Sequence, residues 1–143
     1  MTKFLILERQ MITSAEEFVA LRSSTIKAEY DRAAMEEAPI SVWRAVLKSY
    51  PDYMRWVVHN KTVPLEILEE LCSADPESKR FVASKRKLSQ NLFESLSEDS
   101  DSVVRCGIAC NRKTPLGILE KLFLDEDEDV ADAARRNFAS RKK

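Results

Sequence analysis

Histidine, glycine and cysteine are all scarce in this chain: its 143 residues hold one, two and three of them. There is no Gly-rich phosphate-binding loop and no Gly-x-Ser-x-Gly nucleophile elbow. The cysteines, Cys72, Cys106 and Cys110, make an odd count without framework spacing, which argues against a disulfide scaffold and for free thiols. Long apolar runs are missing too. Phe4 to Leu7 are only four apolar residues before Glu8-Arg9, too short for a signal-peptide core or a membrane span, so a cytoplasmic location is expected. Nor is either sign of charge in excess, since 23 Lys and Arg stand against 24 Asp and Glu for a formal net charge of −1. Any electrostatic function must lie in where the charges fall.

A composition of 44% apolar and 33% charged residues is that of a soluble globular protein. Ala, Leu, Glu, Lys, Arg and Ser dominate, and these favour helices or their caps over strands. An all-α chain is expected.

Spaced by 25, 25, 25 and 26 residues, Ser14, Pro39, Pro64, Ser89 and Pro115 form one column. Each suits a helix start: serine caps the free N–H groups of a first turn, and proline fits the first helical position, where its missing donor would be unpaired anyway. Four residues on stand Phe18, Trp43, Leu68, Phe93 and Leu119, and seven on stand Leu21, Val46, Leu71, Leu96 and Leu122. Three residues on, Val42, Ile67, Leu92 and Ile118 agree while Glu17 does not, so the first unit is atypical, as an end cap is. Offsets of 3, 4 and 7 make one stripe of a helix, termed helix A. A polar turn follows, such as Ser73-Ala74-Asp75-Pro76 or Ser97-Glu98-Asp99-Ser100. A second apolar segment, helix B, aligns as Arg55-Trp56-Val57-Val58, Arg80-Phe81-Val82-Ala83 and Arg105-Cys106-Gly107-Ile108, and closes near Asn60, Lys85 or Asn111. Isolated helices below about 12 to 15 residues are marginal in water, so each pair must bury its stripe against its neighbours. The expected fold is a right-handed superhelical solenoid of about five two-helix repeats of ~25 residues. It forms a single domain over residues 1–143, with residues 1–13 as an N-terminal cap and repeats starting near 14, 39, 64, 89 and 115.

The stretch from Val104-Arg105 through Ala109-Cys110-Asn111 to Thr114-Pro115-Leu116 and Leu119 resembles the unit of leucine-rich repeat variant proteins, relatives of HEAT-like solenoids. Val-Arg, Ala-x-Asn, Thr-Pro and the spaced leucines carry the likeness. Met54-Arg55 through Asn60 to Pro64-Leu65 and Leu68 is similar with one residue fewer. The resemblance is strong over residues 54–122 and weak before residue 38. It implies an α-solenoid that binds protein and, by analogy with small bacterial members, an immunity protein that neutralises a toxin encoded beside it. The iron–sulfur module of some such proteins has clustered N-terminal cysteines, whereas here the first cysteine is Cys72. HEAT-repeat di-iron hydroxylases are recognised by repeated His-Glu pairs, and the sole histidine, His59, is followed by Asn60.

Candidates for chemistry are few. His59 reads as a surface or capping residue at the end of a helix B. Cys106 and Cys110, at i and i+4, share a helix face, but two ligands do not make a metal site. Cys106 also falls in the column of Trp56 and Phe81, which assigns it to filling the core. No catalytic residue, metal site or cofactor is expected, and the chain reads as a non-enzyme.

Charges alternate along the chain. Residues 64–78 carry Glu66, Glu69, Glu70, Asp75 and Glu77 without a base, and residues 79–88 carry Lys79, Arg80, Lys85, Arg86 and Lys87 without an acid. Glu94, Glu98, Asp99 and Asp101 follow, then Arg105, Arg112 and Lys113; the last unit sets Asp125-Glu126-Asp127-Glu128-Asp129 before Arg135, Arg136 and Arg141. Stacking would place the acids along helix A and the A–B turns and the bases along helix B, as two stripes of opposite sign. Helix termini account for part of this at about 0.3–1 kcal/mol each, but a block of five acids exceeds what one helix end can use. In the second unit Tyr50 and Tyr53 replace the acids. Exposed, they are candidate hot spots; the alternative is that they fold back onto Trp56 or the N-terminal cap.

The expected function is therefore protein binding by a monomer. Its acidic turns (Asp75, Glu77, Glu98, Asp99, Asp101, Asp125, Glu126, Asp127, Glu128, Asp129), together with Tyr50 and Tyr53, would occupy a basic toxin domain. One alternative sets Arg55, Arg80, Arg86, Arg105, Arg112 and Arg135 in a row against nucleic-acid phosphates, although the acidic stripe would repel them within a Debye length of about 10 Å. Another is a general interaction scaffold.

Overall fold

A computed structural model describes residues 11–141. Ten α-helices and one 3-10 turn make up its regular structure, and no strand occurs among the described residues beyond an isolated bridge between Met11 and Glu37. No helix among them is long and apolar enough to cross a membrane. Of the N-terminal cap, residues 1–10 lie outside the described residues; Ile12 is fully buried.

The chain divides into two units, Met1–Leu71 and Cys72–Lys143. The first holds α1 (Ala15–Ser23), α2 (Lys27–Met35), α3 (Ile40–Ser49), the 3-10 turn Pro51–Tyr53 and α4 (Met54–His59). Helix α5 (Leu65–Ala74) runs across the boundary. The second holds α6 (Ser78–Val82), α7 (Gln90–Ser97), α8 (Ser102–Cys110), α9 (Leu116–Leu122) and α10 (Glu128–Arg141). Within the first unit α1 packs on α2 and α3, α2 on α4, and α3 on α4. Within the second, α7 packs on α8 and α9, α9 on α10, and α8 on both α6 and α10. In each unit A helices touch A helices and B helices touch B helices, in two layers.

Each helix A starts at the Ser/Pro column. Ser14 and Ser89 are N-caps whose hydroxyls accept from the backbone N–H of Glu17 and Leu92 at 2.9 and 3.1 Å. Pro39 and Pro115 occupy the N-cap rather than the first helical position, with ψ of 151° and 141°. Proline loses nothing there, because the N-cap N–H also lies outside the helical hydrogen-bond ladder. Burial follows the expected offsets: Val42, Trp43 and Val46 on α3, Leu92, Phe93 and Leu96 on α7, and Ile118, Leu119 and Leu122 on α9. Phe18 and Trp43 meet edge to face with ring centroids 5.2 Å apart. Glu17 breaks the column because it serves the cap. Its carboxylate accepts from the Thr13 backbone N–H at 2.7 Å, in the manner of a capping box, and that bond is the largest cause of its lowered pKa.

The B helices bury Val57 and Val58, Val82 and Ala83, and Ile108 and Ala109. Val82 and Ala83 thus correspond to Ile108 and Ala109, not to Gly107 and Ile108, so the expected alignment of α8 slips by one residue. The extra residue falls in the turn after Leu96. This corrects the assignment of Cys106 to the core: it leaves the Trp56–Phe81 column and is half-buried, with Cys110 exposed. That column is itself peripheral, since Phe81 is 38% exposed. Burial and the adjacent Cys110 push the Cys106 thiol above its ordinary pKa, which lowers its reactivity. Gly107 takes the vacated place, and a Cβ there would stand 2.8 Å from the Ala83 Cβ.

Asparagines tie successive B helices together. The buried Asn111 donates from Nδ2 to the carbonyls of Ala83 at 2.9 Å and Lys85 at 2.6 Å, while its Oδ1 accepts from the Lys113 N–H at 2.9 Å. Asn137 repeats the device on Ala109 and Asn111, both at 2.9 Å. In the first unit Asn60 reaches Ala33 and Glu36 at 2.8 and 2.9 Å. A helix leaves its last carbonyls without intrahelical donors; here the following B helix supplies them.

Candidate functional site: an acid-rimmed groove

Within the second unit, α7 and α9 leave between them a groove of about 270 Å³ lined by Glu94, Ser97, Glu98, Ile118, Lys121, Leu122 and Asp125. Its floor is the apolar stripe of α9, where Ile118 and Leu122 are buried. Its acidic wall follows from helical spacing, since residues four apart share a face and Glu94 and Glu98 are such a pair. Glu94 accepts from the Gln90 amide at 2.9 Å. Glu98 is the C-cap of α7, exposed, and in no ion pair among the described residues. The carbonyls at that end carry partial negative charge, so a carboxylate there costs about 0.3–1 kcal/mol where a base would be favoured.

The neighbouring acids are committed inside the unit. Asp99 pairs with Lys79 at 3.0 Å, Asp101 with Arg80 at 2.8 Å and Asp125 with Arg105 at 2.8 Å. Asp99 and Asp125 also each accept the backbone N–H two residues on, at 2.9 Å, closing Asx turns. Burial pushes both carboxyls up, but these hydrogen bonds and the paired base outweigh it, and both lie below the usual carboxylate range. Asp101 is lowered by the Arg80 hydrogen bond and then by the Val103 N–H. Arg105 is buried and donates further to the carbonyls of Asp99 and Ser100. The acids of the turns after α7 and α9 therefore pair with bases of the preceding helix B, α6 and α8 respectively.

The five-acid block is likewise mostly consumed. Asp125 holds Arg105, and Asp127 accepts from the N–H groups of Asp129 and Val130 at 2.9 and 3.3 Å at the start of α10. Glu128 and Asp129 sit in that helix's first turn, at its positive end. Glu126 projects, with its side chain 91% exposed and Arg105 4.0 Å away, and Glu128 and Asp129 are exposed as well. Asp75 accepts from the Ser78 hydroxyl at 2.8 Å, and Glu77 is exposed.

Tyr50 and Tyr53 do not project as free aromatics. Both are half-buried and fold back onto α1: the Tyr50 hydroxyl donates to Glu16 at 3.0 Å, which raises its pKa, and the Tyr53 hydroxyl lies 2.6 Å from that of Ser23. The arginine row is interrupted too. Arg80 and Arg105 are paired, and Arg135 donates to the Phe123 carbonyl at 2.8 Å beside Asp132. Arg55 lies 5.8 Å from the Trp56 ring. Arg86 and Arg112 are exposed and in no ion pair among the described residues. Sequence reasoning passed over Glu94, Lys121 and the α9 floor as site residues, although the four-residue spacing of Glu94 and Glu98 was there to be read.

Comparison of the chain with protein-family models, curated proteins and solved structures returned no match.

Proposed function

We propose that this chain is a non-catalytic α-solenoid that binds a basic protein surface through the α7–α9 groove, as an immunity protein binds and neutralises a toxin. Glu98 carries the reading. It is an exposed carboxylate without an ion pair among the described residues, at a helix end that disfavours it, over an apolar floor. Its neighbours Asp99, Asp101 and Asp125 all have internal duties; Glu98 has none, and binding a cation accounts for its place. A lysine or arginine of the partner lays its methylenes over Ile118 and Leu122 and sets its charged head between Glu94 and Glu98, a charge-assisted contact worth about 1.5–3 kcal/mol. Glu126 extends the negative field that steers the encounter.

The ten helices of the described residues fall in chain order into five pairs, and the two-layer packing recurs in both units. Both facts support a solenoid of five repeats; a right-handed superhelix working as a cytoplasmic monomer completes the proposal. The test is affinity capture from the native cell lysate, with nuclease present, by the wild-type chain and by a Glu94→Lys/Glu98→Lys variant of unchanged helical circular dichroism. One stoichiometric basic protein retained by the wild type and lost by the variant is expected. Equal retention overturns the groove, and recovery that vanishes with nuclease moves binding to Arg86 and Arg112.

A further inference from the structure

The first unit holds a second cleft, of about 340 Å³, whose lining includes Arg22 of α1, Tyr30, Asp31 and Ala33 of α2, and Trp56 and His59 of α4. That volume is within the range of small-molecule sites. Its frame is pinned. Asn60 ties the end of α4 to the carbonyls of Ala33 and Glu36, and the Lys61 N–H donates to the Ala34 carbonyl at 2.8 Å. The floor carbonyls are thus already engaged, and side chains set the polarity of the cleft.

Arg22 decides that polarity. Its guanidinium carbon lies 3.6 Å from the centroid of the Trp56 indole, so one face is stacked while the N–H donors point outward in the guanidinium plane. It is half-buried and has no hydrogen-bond or ion-pair acceptor among the described residues. Asp31, the carboxylate in the lining, is held by Lys27 at 2.7 Å. The Tyr30 hydroxyl also has no hydrogen-bond partner among the described residues. The cleft therefore offers a fixed cation with unspent donors, a phenol, and an apolar wall made by Trp56 and the half-buried Ala34.

We infer that this cleft binds an aromatic carboxylate, with the acid accepting a two-pronged hydrogen bond from Arg22 and the ring lying against Trp56 and Ala34. Planar bidentate matching to a carboxylate is what an arginine held by stacking does better than a lysine. The ligand is a free arene acid or the C-terminal carboxylate of a chain ending in an aromatic residue.

The chain's two tryptophans make the test direct, because Trp43 is fully buried and Trp56 lines the cleft, so their indole N–H signals in a nitrogen-correlated NMR spectrum report separately. The probes are 3-phenylpropionate, its amide, and Gly-Phe with a free or amidated C-terminus. Saturable movement of the Trp56 signal by 3-phenylpropionate is expected, with a dissociation constant on the order of 1 mM, and the Trp43 signal stays still. The amide and the Arg22→Met variant are each expected to bind at least about tenfold more weakly, and Arg22→Lys falls between. The acid–amide comparison uses only the wild-type chain and holds even if a variant misfolds. Equal shifts by acid and amide, or no saturable shift by either acid, overturn the site. Tighter binding of Gly-Phe than of 3-phenylpropionate identifies a protein C-terminus as the source, and the reverse order identifies a free acid.

Discussion

Replacing Asn111 by alanine removes three hydrogen bonds at one buried point: two donated to the carbonyls of Ala83 and Lys85, and one accepted from the Lys113 N–H. At about 1 kcal/mol net each, the loss is about 3 kcal/mol. No helix-propensity gain offsets it, because Asn111 is the C-cap of α8 and lies outside the helix. For a chain of this size that is a fall in Tm of roughly 10 °C. Asn111→Asp sharpens the test by keeping the shape and the acceptor while turning a carboxylate toward two carbonyl oxygens. It is expected to cost at least as much as alanine near neutral pH, and less than that below about pH 4, where a protonated acid regains one donor. Urea titrations at pH 7 and pH 3.5 followed by circular dichroism measure both. An alanine variant within about 0.5 kcal/mol of wild type, or an aspartate variant milder than alanine at pH 7, refutes the view that the donated bonds hold the B helices together.

Three further outcomes follow from the packing and the charges. Gly107→Ala gains up to about 1 kcal/mol of helix propensity but sets a Cβ 2.8 Å from the buried Ala83 Cβ; overpacking of about 1–3 kcal/mol is expected to win, and Ala83→Gly in the same chain to relieve it, as read by thermal unfolding. Glu98→Gln is expected to raise stability by a few tenths of a kcal/mol while weakening partner binding, so a variant that loses both contradicts the groove. Asp99, Asp101 and Asp125 have folded pKa values below their unfolded ones. Their contribution is therefore full above the unfolded value near 4 and disappears as pH falls through the lower folded values. Urea midpoints measured from pH 6 to pH 2 are expected to drop over that window, with a shallower drop in Asp125→Asn.

The helix A stripe was fully legible, because offsets of 3, 4 and 7 from a Ser or Pro need only one helix to be read, and every residue so placed in α3, α7 and α9 is buried. Helix B was legible in kind but not in register. One residue added to the Leu96–Ser102 turn shifts α8, and a short segment such as Arg105-Cys106-Gly107-Ile108 offers apolar residues in either alignment. Asn60 and Asn111 were visible where helix B closes, yet their amides reach carbonyls 24 to 28 residues back, a relation no local pattern encodes. The charge blocks misled for the same reason. Sequence shows the sign of Asp99, Asp125, Lys79 and Arg105; only tertiary structure shows that Lys79 neutralises Asp99 and Arg105 neutralises Asp125, while Glu98 is in no ion pair among the described residues.

The asparagine links also have a direction. In the second unit α8 completes α6 and α10 completes α8, each carbonyl pair waiting on a side chain that lies 26 to 28 residues further along. A chain emerging from the ribosome therefore carries an unfinished edge. At synthesis rates of about 5–20 residues per second, helix α8 is unfinished for roughly 1–5 s after it emerges, until Asn137 arrives. A second long-range tie from the same helix follows, as Arg141 donates to the Thr114 carbonyl at 2.6 Å. A stop codon before Asn137 would leave α8 in that unfinished state permanently, so the damage reaches a helix that the truncated chain still contains.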